Sequence, residues 1–144
     1  MREIKFRGKR IDNDEWVYGY LIGNDVIVGK IVEWDSEFFC TEFWYKVDPE
    51  TVGQYIGLRD SKRTKEYPNG QEIYEGDVTR RGETTYQIVW MENRAKFGAK
   101  VIRSECVLVR NLTFPLDHYV DEHDSLLEVI GNIYEYPELL AGRA

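Results

Sequence analysis

Asn69-Gly70 is the most restrictive pair of residues in this sequence. Both residues tolerate a positive φ, so together they reverse a chain within two positions. They follow a polar excursion, Arg59-Asp-Ser-Lys-Arg-Thr-Lys-Glu-Tyr-Pro68, that separates two short apolar runs, Val52-Gly-Gln-Tyr-Ile-Gly-Leu58 and Glu72-Ile-Tyr-Glu-Gly-Asp-Val78. The stretch from Val47 to Val78 therefore predicts a hairpin with a charged, mobile tip.

The same punctuation recurs along the chain. Ile4 and Phe6 alternate with charged residues, the period of a half-buried strand. Asp12-Asn13-Asp14 turns, and the aromatic run Glu15 to Ile22 follows. Gly23-Asn24-Asp25 turns again into Val26 to Trp34, with Gly29 placed as a bulge. After Asp35-Ser36, Phe38 to Val47 is a fourth run, closed by Asp48-Pro49. Asp48 is positioned to cap a single helical turn there. Beyond the central hairpin, Thr84 to Trp90, Phe97 to Ile102 and Glu105 to Arg110 continue as strands, with Met91 to Lys96 a polar turn. Phe114-Pro-Leu116 opens an acidic loop to Asp124. Ser125-Leu-Leu-Glu128 fits a helix capping box, but Leu127 to Tyr134 is β-branched and alternates, so it reads as a strand. Pro137 to Ala141 is a short closing helical turn. Short strands at such spacing define an all-β chain with minor helix.

Composition narrows the function classes. The chain has 144 residues, enough for one domain or two small lobes. Its net charge of -7 makes free nucleic acid a poor partner, although Arg2, Lys5, Arg7, Lys9 and Arg10 form a basic N-terminal strip. Cys40 and Cys106 are far apart and form no C-x-x-C, which excludes a zinc ribbon or redox pair. Both lie in apolar runs and are expected to be packed. MREIKFRGKR has no apolar core of a leader peptide, and no apolar run is long enough for a membrane span. A soluble protein of a reducing compartment is expected.

Several phrases taken together resemble the YopX-like proteins of phages and bacterial prophages. They are REIKFRGKRIDNDEWVYGYLI, VDPETVGQYIGLRD, EIYEGDV, YQIVW and VIGNIYEYPELL, spread over almost the whole chain. The resemblance implies a later part similar to a small SH3-type β-barrel with an added N-terminal β lobe. The boundaries would be 1–48 for the lobe and 49–144 for the barrel domain, unless the two form one integrated domain. It implies a bacterial cytoplasmic setting and carries no activity or cofactor. The tip from Ser61 to Pro68 is longer than the turn the resemblance implies.

Three constellations point to chemistry. His118 and His123 lie among Asp117, Asp121, Glu122 and Asp124, a weak metal candidate. Five residues apart, they share neither a helix face nor a strand face, so a solvated acidic loop is the stronger reading. Glu75 and Asp77 flank Gly76. Paired carboxylates serve glycosidic hydrolysis or Mg²⁺, but a turn aspartate more often accepts local backbone N–H bonds. The aromatic set Trp34, Phe38, Phe39, Phe43, Trp44 and Tyr45 is interleaved with Glu33, Asp35, Glu37 and Glu42. That pattern opposes stacking on single-stranded nucleic acid and suits a core or a protein–protein surface. The chain carries no nucleophile motif, Walker loop or dinucleotide fingerprint.

The expected function is thus a non-enzymatic protein-binding or assembly module that self-associates or meets a phage or host protein. Its candidate binding residues are Tyr55, Arg59 and Asp60 near the turn, with Trp44 and Tyr45. A nucleic-acid-associated module using the basic strip is the alternative. A metal-dependent hydrolase built on His118 and His123 ranks last. No catalytic residue and no cofactor is expected.

Overall fold

Alternation of side chains along short strands explains most of the fold seen in a computed structural model, which describes residues 2–121 and 124–141. The chain is all-β, with antiparallel sheets and only single turns of 3₁₀ helix. It divides into two compact units, Met1–Tyr55 and Ile56–Ala144.

The first unit contains β1 (Phe6–Lys9), β2 (Trp16–Ile22), β3 (Val26–Val28), β4 (Ile31–Trp34), β5 (Phe39–Thr41), β6 (Trp44–Lys46) and the start of β7 (Gly53–Arg59). Its sheet has the order β6-β3-β2-β1-β7. Register fixes two faces, because directly paired residues share a side. Phe6 opposite Gly19 and Gly8 opposite Val17 set the inner face. There Val17, Ile27 and Val47 are buried, with Phe6, Leu21, Phe43, Tyr45 and Val52 packed on them. Asp48 caps the turn Pro49–Thr51 by accepting from the Glu50 N–H at 3.0 Å, as its position before proline predicted.

Gly29 is not a bulge within one strand. The third and fourth apolar runs form a single long hairpin that breaks at this point. Its base pairs Val26 with Lys46 and Val28 with Trp44. Its arm pairs Ile31 with Thr41 and Trp34 with Phe39 as a separate two-stranded ribbon. Between them the Gly29 N–H donates to the Phe43 carbonyl at 3.0 Å, and the Glu42 N–H donates to the Lys30 carbonyl at 2.9 Å. A Cβ on Gly29 would lie 2.7 Å from the Phe43 ring, so the close approach excludes any larger residue without a shift.

The second unit holds the rest of β7, then β8 (Glu72–Tyr74), β9 (Asp77–Arg81), β10 (Thr84–Met91), β11 (Lys96–Arg103), β12 (Thr113–Pro115), β13 (Val120–Asp121), β14 (Asp124–Ser125) and β15 (Glu128–Asn132). Strand β8 is the hydrogen-bonded neighbour of β7, as the Asn69-Gly70 turn predicted. A five-stranded sheet has the order β12-β11-β10-β9-β15. Tyr86 faces Val101 and Ile88 faces Ala99 across β10 and β11, which puts all four on one side. They form the core with Ile73, Tyr119 and Leu127. The all-β class is borne out, but none of the described sheets closes on itself, so the SH3-type barrel implied by the resemblance is not confirmed.

Two other local expectations are corrected. Glu105 to Arg110 is not a strand: a 3₁₀ turn covers Val107–Val109, and Val107 and Leu108 are exposed. With apolar residues at three consecutive positions, either periodicity can be read into so short a run. The segment after Phe114 is not an open acidic loop. It forms β12, a 3₁₀ turn Leu116–Tyr119 and the β13–β14 ribbon. Tyr119, buried beside Tyr86 with ring centroids 4.9 Å apart, anchors it.

Candidate functional site: an open aromatic sheet face

Strand β2 is apolar on both sides, but only one side is covered. Val17 and Leu21 point to the core of the first unit, while Tyr18, Tyr20 and Ile22 are exposed. Register places Lys9 and Arg7 of β1 beside Trp16 and Tyr18 on this outer side. It also places Val28 beside Tyr20, and Trp44 of β6 beside Val28. Trp44 is 63% exposed. The outer face therefore carries rings and aliphatic side chains on three strands, β2, β3 and β6, with Val28 buried between Tyr20 and Trp44.

Four of the five cations of the N-terminal strip, Lys5, Arg7, Lys9 and Arg10, are engaged within the unit. The Arg7 guanidinium lies 4.7 Å from the Trp16 ring centroid and the Lys9 ammonium 5.7 Å. Arg7 itself is buried. Arg10 covers the Tyr45 ring at 3.7 Å and donates twice to the Asp12 carboxylate, at 2.9 and 2.7 Å. The hydrogen bond from Arg10 holds Asp12 below the usual carboxylate range and raises Arg10 in turn. Lys5 pairs with Glu3 at 3.2 Å and Lys46 with Asp25 at 2.8 Å.

The five candidate binding residues do not share a surface. Trp44 is on the open face. Tyr45 points to the inner side, stacked on Phe43 with centroids 5.4 Å apart. Tyr55 is buried, and its N–H donates to the Lys5 carbonyl at 2.8 Å. Arg59 donates to the Gly70 carbonyl at 3.1 Å and approaches Glu72 at 3.6 Å, holding the two arms of the central hairpin together. Asp60 is 3% exposed; its carboxylate accepts from the N–H groups of Gln71 at 2.9 Å and Val129 at 3.1 Å.

The remaining candidates are distributed as follows. His118 is exposed and stacks on Phe114 at 5.4 Å between centroids; His123 lies outside the described residues. Among the described residues no group of three His, Cys, Asp or Glu side chains converges as metal ligands would. Asp77 accepts from the Tyr74 N–H at 2.8 Å, the local turn role anticipated from sequence. Cys40 and Cys106 are both exposed and free, contrary to the expectation that they pack. Cys40 sits on the uncovered β4–β5 arm, and Cys106 precedes a 3₁₀ turn rather than lying within a strand. Tyr18 and Tyr20 were not singled out from sequence. Their signal was present: a strand apolar on both sides requires two covering layers, and only one is built here.

These features define an all-β protein that presents an aromatic sheet face and an apolar hairpin arm on its N-terminal unit. No helix among the described residues is long and apolar enough to cross a membrane. The YopX protein family model matches residues 5–141, and the chain belongs to that family. No curated protein matches it.

Proposed function

We propose that the protein is a non-enzymatic protein-binding or assembly module. The observation that carries this is the outer face of the first unit, where Tyr18, Tyr20 and Ile22 of β2 and Trp44 of β6 are exposed on either side of β3. Contiguous apolar surface of this kind is uncommon on soluble monomers, and tyrosine and tryptophan supply large contact area at small entropic cost. The resemblance to phage and prophage proteins supports a bacterial cytoplasmic setting, with a phage protein, a host protein or a second copy as partner. The basic strip offers less support for nucleic acid, because four of its five side chains lie against Trp16, Tyr45, Asp12 and Glu3.

The test places a photoreactive phenylalanine analogue at Trp44, at Tyr20 or, as a control, at Glu83 of the second unit. Irradiation of bacteria expressing each protein should give discrete protein adducts from Trp44 and Tyr20 and none from Glu83. Mass spectrometry then identifies the partner, and light scattering of the purified chain separates self-association from a foreign one. Absence of adducts from both face positions overturns the reading of this face as the binding surface.

A further inference from the structure

The arm of the long hairpin, from Ile31 to Thr41, has no covering layer. Ile31, Val32, Trp34, Phe38 and Phe39 are all exposed, Trp34 by 72%. A lone two-stranded ribbon is marginally stable in water and is normally completed by packing. Cross-strand pairing puts Trp34 and Phe39 on one face and Glu33 opposite Cys40 on the other. The arm is held in shape by its own polar groups. The Asp35 carboxylate accepts from the N–H groups of Glu37 and Phe38 at 2.8 and 3.0 Å, and Glu42 accepts from the Lys30 N–H at 2.9 Å. The carboxylates of Glu33 and Glu37 have no hydrogen bond or ion pair among the described residues. From Ile31 to Glu42 there is no lysine or arginine.

We propose that this arm docks into an apolar cleft, rimmed by lysine or arginine side chains, on a different protein. The inference rests on the protein-binding reading above and names the partner's chemistry. Trp34 and Phe39 would fill the cleft, the role buried aromatic anchors play in interfaces. Glu33 and Glu37 would meet the cationic rim and set orientation and encounter rate. A second copy is the poorer occupant. A twofold contact between arms would juxtapose like patches, bringing the same uncompensated carboxylates together.

The probe is a synthetic strand peptide of alternating lysine and leucine, titrated calorimetrically into the full chain at low and raised salt. A glutamate–leucine and a lysine–serine peptide are the comparators. Only the lysine–leucine peptide should bind. Trp34→Ser/Phe39→Ser should weaken it by more than about thirtyfold, the loss typical of an interface hot spot. Glu33→Gln/Glu37→Gln should weaken it several-fold and flatten the salt dependence. Both double variants should keep the wild-type melting temperature, since the altered side chains are exposed. No binding of the lysine–leucine peptide, equal binding of a comparator, or binding indifferent to both double variants overturns the proposal. So does a dimer that Trp34→Ser/Phe39→Ser dissociates. If adducts from Trp44 persist while the peptide fails to bind, the arm proposal falls and the wider protein-binding reading stands. If the peptide binds as described and the face gives no adducts, the arm is retained and the face is lost.

Discussion

Asp60→Ala should be among the most damaging single substitutions of a polar residue in the second unit. The carboxylate is buried and receives two backbone N–H groups, those of Gln71 and Val129. It therefore ties the returning arm of the central hairpin to β15, 69 residues further along the chain. A hydrogen bond to a charged group contributes about 1.5–3 kcal/mol net, and a buried donor left without a partner costs about 1–3 kcal/mol. Alanine removes both acceptors and opens room for a water, which recovers part of the loss. The expected cost is about 3–5 kcal/mol, a large share of a margin of roughly 5–15 kcal/mol. Asp60→Asn keeps one acceptor oxygen and turns an amide toward the other donor, so it should fall between alanine and wild type. Urea titration at neutral pH gives the order. Hydrogen exchange gives the location: the Gln71 and Val129 amides should lose protection before those of β10 and β11. A cost below about 1 kcal/mol for Asp60→Ala would refute the argument, since it falls short of one net bond. It would return Asp60 to the binding role considered from sequence.

Three further outcomes are expected. Gly76→Val should cost about 3 kcal/mol, because φ is +92° and a Cβ there would sit 2.8 Å from the Tyr134 ring; an unchanged melting temperature refutes the turn geometry. Ile73→Ala should cost about 2–4 kcal/mol, as Ile73 is fully buried in the core, whereas replacing residues 62–67 by a shorter glycine-containing turn should cost on the order of 1 kcal/mol. One denaturant titration ranks the two, and a more damaging loop replacement would mean that the excursion is a packed element. Burial, with a hydrogen bond to Tyr86, pushes Tyr119 well above the usual tyrosine range. The folded state then holds a proton that the unfolded state releases near pH 10, so stability is intact below that pH and falls above it, at up to about 1.4 kcal/mol per pH unit. Tyr119→Phe should flatten this alkaline limb in pH-dependent melting.

The alternation read from Ile4 and Phe6 was not borne out at Ile4, which is exposed and precedes β1, whereas the run Thr84 to Trp90 was found as strand β10 with one buried face. Tyr86 and Ile88 of β10 illustrate this, because period 2 records a one-sided environment. The Pro49 turn, the turn from Tyr67 to Gly70 and the closing turn at Pro137 were legible because proline fixes φ and glycine admits a positive one. The break at Gly29 was not, because it depends on the Phe43 ring, fourteen residues later, arriving from between β5 and β6. Nor was the role of Asp60, whose second donor is distant in sequence. Local chemistry shows that a turn aspartate will accept N–H bonds but not whose. The aromatic run from Trp34 to Tyr45 was read as core or surface, and composition cannot divide those. The fold sends Phe43 and Tyr45 inward and Trp34, Phe38, Phe39 and Trp44 outward.

That outward placement is costly in a unit of this size. Chains of about 60 residues bury only a modest fraction of their surface, so each apolar side chain left outside is stabilisation forgone. Among the described residues, the main apolar cluster of the second unit has seven buried members and that of the first unit three, Val17, Ile27 and Val47. A sequence under pressure for stability alone would place polar residues at Tyr20 and Trp44, each more than half exposed. Tyr20→Lys and Trp44→Lys should therefore change stability by no more than about 0.5 kcal/mol each, as ordinary surface substitutions do. They should also raise solubility and abolish the crosslinked adducts. The decisive quantity is the free energy of unfolding of each variant without partner. A loss of more than about 2 kcal/mol would show that the rings contribute to the fold of the isolated chain. Their exposure would then have a structural cause, and the face would lose its standing as a binding surface.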